Sequence, residues 1–119
     1  MTLEIHEEVL ALAGWIAGTE EGELPLLGRL CAAAEKDLKA RLLPGAKEAD
    51  YADALICAAA FSAAAGVLDA RINAAELKAG EVSLRTDERA RADALRNRAE
   101  RLLAPYAASG DFAFRGVRA

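Results

Sequence analysis

Near the N-terminus, Ile5, Val9, Leu12 and Ile16 recur at spacings of four, three and four, with Glu4, Glu7 and Glu8 between them. That period is the signature of a helix with one apolar stripe, and it predicts a first helix over 3–17. Acids in its first turn suit the positive end of the helix dipole. Gly18 to Glu23 (GTEEGE) breaks the pattern with two glycines and reads as a loop. A second helix is expected over 24–43, opening at Leu24-Pro25, where proline's fixed φ and missing N–H are tolerated. Its stripe is Leu27, Leu30, Cys31, Ala34, Leu38 and Leu42, and Pro44-Gly45 ends it.

The third helix, expected over 50–79 with Asp50 as its cap, differs in kind. From Ala54 to Leu68 it is apolar all round, which in a globular protein marks a helix covered on most sides or held between subunits. It reads as the central helix of a bundle, with Gly66 a candidate for a close helix crossing. A fourth helix is expected over 87–104, with Thr86 as cap, Ala94 or Leu95, Ala99, Leu102 and Leu103 inward, and Pro105 as its stop. Arg89, Arg91, Arg96, Arg98 and Arg101 are left mostly outward.

Two segments do not read as helix. Glu81 to Arg85 (EVSLR) alternates polar and apolar residues, as an extended arm would. Residues 111–118 carry Phe112 and Phe114 on the same side of an extended chain. Five residues make no stable sheet alone, so such segments need a partner strand or surface. Folded back they would form a surface hairpin; reaching outward they would be arms that complete a neighbouring subunit.

Composition strengthens the helical reading. Alanine fills 30 of 119 positions, and it has the highest helix propensity because it loses no rotamer freedom. The length is that of one domain, 1–119, able to bury a core without disulfides or metal. A net charge of −4 argues against a general nucleic-acid binder. The charge is uneven: residues 1–80 carry 13 acids and 7 bases, residues 81–119 carry 6 acids and 8 bases. Ends of opposite sign can meet head to tail in a multimer, or simply be solvated faces. The opening MTLEIHEE lacks the basic start of a secretory signal, and the 15-residue uncharged run is short of a bilayer span, so a cytoplasmic protein is expected.

Candidate chemistry is sparse. Cys31 and Cys57 lie in apolar stretches, out of step across a helix hairpin, and are expected as buried free thiols. His6 is the lone histidine, and Glu7 and Glu8 do not share its helix face, so it is expected at the surface with no metal. Ser62, Ser83 and Ser109 sit in no nucleophile elbow, and no glycine-rich run precedes a Lys-Ser or Lys-Thr pair. No enzymatic activity and no cofactor are expected. The fourth-helix arginines either pair with Asp87, Glu88, Asp93 and Glu100 on their own helix, as Asp93 with Arg96, or grip a partner protein or nucleic acid.

The order of these parts, with Leu-Pro-Leu-Leu opening the second helix, Lys-Ala-Gly-Glu-Val-Ser-Leu at 78–84, Leu-Leu-Ala-Pro-Tyr at 102–106 and Phe-Ala-Phe-Arg-Gly-Val at 112–117, resembles small head-tail connector proteins of tailed phages and prophages. Likeness at residue level runs from about Lys78 onward. The resemblance implies a helical adaptor that self-associates into a ring between portal and tail, contacts portal and tail proteins, and meets nucleic acid only as DNA passing through the ring. It implies no catalytic residues and a place in the bacterial cytoplasm during assembly, then in the virion.

The expectation is thus an all-α, four-helix bundle-like domain with an extended arm and tail. Its candidate interface is Val82, Leu84, Arg85, Arg89, Arg96, Phe112, Phe114 and Val117. Competing readings are a small helical protein-binding regulator and a nucleic-acid binder using the arginine-rich helix.

Overall fold

The computed structural model describes residues 2–79 and 86–107, with side-chain surroundings for 5–74 and 87–107. These described residues are all-α, built from four helices: α1 (Thr2–Ala17), α2 (Leu24–Ala40), α3 (Glu48–Ala79) and α4 (Thr86–Leu103). Single 3-10 turns at Glu21–Glu23 and Ala104–Tyr106 lead into α2 and follow α4. The expected arm at 81–85 and tail at 111–118 lie outside the described residues.

α3 is the axis of the bundle. α1, α2 and α4 each pack along it, and α1 also touches α2. Composition explains the arrangement, because Ala58, Ala59, Ala60, Ala63, Ala64 and Ala65 are all buried and their short side chains let three neighbours approach. Larger side chains fill the spaces between, chiefly Leu38, Leu55, Leu68, Ile72, Val9 and Val67. α2 approaches closely at Gly66, where a Cβ would lie 3.0 Å from Leu30 Cδ1. By length and composition the Glu48–Ala74 part of α3 could also cross a bilayer. Burial by three helices accounts for the same composition.

The apolar stripe of α1 is rotated from its expected position. Its fully covered positions are Ile5, Val9, Ala13 and Ala17, while Leu12 and Ile16 are only half-buried. Reading the larger residues alone misplaced the stripe, because alanine is what fits against the Ala-rich α3. The same holds on α4, whose buried residues are Ala92, Ala99 and Leu103; Leu95 and Leu102 are half-buried and Ala94 is exposed.

The element ends follow from local chemistry. α1 closes with Gly18 at φ +62°, and the Thr19 N–H donates to the Gly14 carbonyl at 3.1 Å, a pairing that needs a left-handed residue just past the helix. α2 stops at Ala40, three residues before the expected Leu43. Leu42 instead forms an isolated antiparallel bridge with Ala107, and the Leu43 N–H donates to the Tyr106 carbonyl at 2.9 Å. Tyr106 and Ala107, just past the expected stop at Pro105, are therefore fastened to the end of α2.

Candidate functional site

Charged residues do most of their visible work as ties between elements. α1 has no basic residue in its last turn to satisfy its terminal carbonyls, and Arg71 of α3 supplies the charge from outside. Its guanidinium donates to the Ala17 carbonyl at 2.8 Å, the Gly18 carbonyl at 3.0 Å and both carboxylate oxygens of Glu23 at 2.6 and 2.7 Å. The Arg71 hydrogen bonds, together with one from the Glu20 N–H, hold the Glu23 carboxyl down at about 2. This one arginine ties α3 to the end of α1 and to the entrance of α2.

A second tie is a bidentate pair, Arg41 to Glu100 at 3.0 and 3.1 Å, joining the end of α2 to α4. A third runs from α4 back to α3, where Arg96 pairs with Asp69 and with Asp93 of its own helix. The Arg91 guanidinium donates to the Ile16 carbonyl at 2.9 Å, and Arg98 stands 5.7 Å from the centre of the Phe61 ring. The acidic and basic portions of the chain thus meet partly within one molecule.

His6 has a partner that its own helix could not supply. Its Nδ1 lies 2.5 Å from Oε2 of Glu35, a buried carboxylate on α2. In the tautomer with the proton on Nδ1, the ring donates to the carboxylate. Glu35 falls four residues after Cys31 and three before Leu38, on the α2 stripe, and its spacing is the one signal of its burial. Burial, with Glu35 adding to it, pushes the Cys31 thiol up to about 11. The thiol is therefore neutral at ordinary pH and unsuited to attack. Both cysteines are free, as expected; Cys57, expected buried, is half-buried. Among the described residues no three His, Cys, Asp or Glu side chains are placed to hold a metal ion.

Of the candidate interface residues, Arg89 and Arg96 are placed on α4, with Arg89 exposed and Arg96 engaged as above. Val82, Leu84, Arg85, Phe112, Phe114 and Val117 lie outside the described residues. The most conspicuous surface is one that the sequence pattern did not single out. Trp15, the sole tryptophan, is 82 % exposed on α1. With Glu8, Ala11 and Leu12 of α1 and Ile56 of α3 it lines an open groove of about 390 Å³. Positions 8, 11, 12 and 15 share one helix face, so the groove is a second apolar stripe beside the one that builds the core. Its signal was a large aromatic one position short of Ile16, off the main stripe.

In comparisons with known protein families, curated proteins and solved structures, none matches the chain.

Proposed function

We propose that this protein is a self-associating structural subunit, an adaptor of the head-tail connector kind in a phage or prophage particle. The observation that carries the self-association is Trp15, held in water at 82 % exposure over the apolar floor made by Leu12 and Ile56. A tryptophan so exposed buries little area in the fold and is the residue type most enriched where protein interfaces concentrate their binding energy. The chemistry of the described side chains also favours a structural role. Their charged groups tie helices together, and the one strongly shifted thiol is shifted toward inertness. The specific assignment to a connector, with portal and tail proteins as partners, comes from the order of helices and the segments 78–84, 102–106 and 112–117.

The arginine-rich α4 lends little support to nucleic-acid binding, because Arg91, Arg96 and Arg98 are each occupied by a carbonyl, carboxylates or a ring of this chain. Sedimentation velocity over a wide concentration range tests the proposal. Reversible growth beyond the 12.5 kDa monomer is expected, together with co-sedimentation with a portal ring. A monomer at every concentration, portal included, defeats it.

A further inference from the structure

The Trp15 groove has a definable occupant. We infer that it receives the C-terminal segment of a neighbouring copy, with Phe112 and Phe114 against Trp15, Leu12 and Ile56, and Arg115 and Arg118 toward Glu8. This rests on the self-association proposed above and names the surfaces that would carry it.

Three observations support the assignment. The first is chemical fit: the groove is apolar at its floor and acidic at its edge, where Glu8 lines it. The segment after Ala107 is apolar and basic in the matching order, Phe112-Ala-Phe-Arg-Gly-Val-Arg118, with two arginines and, from Phe112 on, no acidic side chain. Aromatic side chains inserted beside an exposed tryptophan, with a guanidinium reaching a carboxylate at the rim, are the ordinary composition of a protein interface.

The second observation is position. α2 lies on the flank of α1 marked by His6, which meets Glu35, and by Gly14, where a Cβ would lie 3.4 Å from Leu27. At 3.6 residues per turn the groove positions 8, 11, 12 and 15 centre roughly 150° around α1 from that flank. The chain, however, leaves the described bundle on the α2 side, because Ala107 is bridged to Leu42 and Tyr106 accepts from Leu43. The tail therefore departs from one side and the groove opens toward another.

The third is reach. Phe112 is five residues beyond Ala107, at most about 17 Å of extended chain. That length sets the reach of a tail seated on a copy placed alongside, and a donor surface and an acceptor surface on different sides make a head-to-tail contact that repeats from copy to copy.

Two full-length variants separate the possibilities. Trp15→Glu keeps the tail and spoils the groove, whereas Phe112→Ser/Phe114→Ser keeps the groove and spoils the tail. Each alone should lose about thirtyfold or more in self-association, the scale of an aromatic anchor. Mixed, they should form a one-to-one pair, since each retains what the other lacks. Only the serine variant contains tryptophan, so its emission should move to the blue as the glutamate variant is added, reporting capture of the tail directly. Circular dichroism of each variant confirms that its helices are intact. If the wild type associates but the serine variant associates as well, or the two variants fail to pair, the tail is not the occupant and self-association by another surface survives. If the wild type is a monomer whose Trp15 emission is already blue and independent of concentration, the tail lies in its own groove. That result overturns both this inference and the proposed self-association.

Discussion

α1 and α3 are both rich in apolar residues, yet they use them differently. α3 has small residues around most of its circumference, and three helices cover them, so that Ala58 through Ala60 and Ala63 through Ala65 lose nearly all contact with water. α1 carries two apolar faces and only one is covered. Ile5, Val9, Ala13 and Ala17 enter the core, while Ala11 and Trp15 stay exposed and Leu12 only half-buried. Burial on α3 is needed for the chain to fold. The outer face of α1 takes no part in that core, and the large aromatic left in water there is the feature on which the proposed self-association rests.

The contrast can be broken most decisively at the core. Replacing Leu55, fully buried on α3, by alanine removes three carbons from a tightly packed region and should cost about 2–5 kcal/mol in urea unfolding. A loss below about 1 kcal/mol would mean that α3 is not the packed axis described.

An intermediate effect is expected at the Arg71 tie. Glu23 has its folded pKa depressed to about 2 from an ordinary 4.5, so its contribution is fully present above 4.5 and lost as pH falls toward 2. Stability should therefore decline through that acid range. Glu23→Gln should be less stable than the wild type at neutral pH, and the gap should close by about pH 2. Urea midpoints measured at several pH values in both proteins check this; parallel curves would show that the pair contributes nothing to folding.

The smallest effect on folding should come from the residue most exposed. Trp15→Ser should leave the unfolding free energy of the monomer within about 0.5 kcal/mol of wild type, as exposed substitutions do. A loss comparable to that at Leu55 would place Trp15 in the fold and remove the contrast between the two helices.

Much of this architecture is legible in the amino-acid order. Helical periodicity over 3–17 and 24–43, an uninterrupted apolar stretch from Ala54 to Leu68, and an alanine-rich composition require helices around a central helix. Helix period and side-chain size are local properties, and local properties can be read one residue after another. Less legible was the choice among apolar residues. Ala13, Ala17 and Ala92 proved to be core positions because an Ala-rich neighbour leaves room for little more than a methyl group, a condition set by the facing helix.

The ties between helices were not legible at all. Arg71 with Glu23 and the end of α1, Arg41 with Glu100, and His6 with Glu35 join residues 29 to 59 positions apart. Nothing in the order of residues pairs one arginine with one distant acid rather than another. The sequence by itself determined that helices form, how many there are and which is most buried, since those depend on period and composition. Only the tertiary structure decided which charges meet and which face of α1 stays uncovered. Both depend on how the helices are rotated about their own axes, and that rotation is set jointly by all the surfaces in contact.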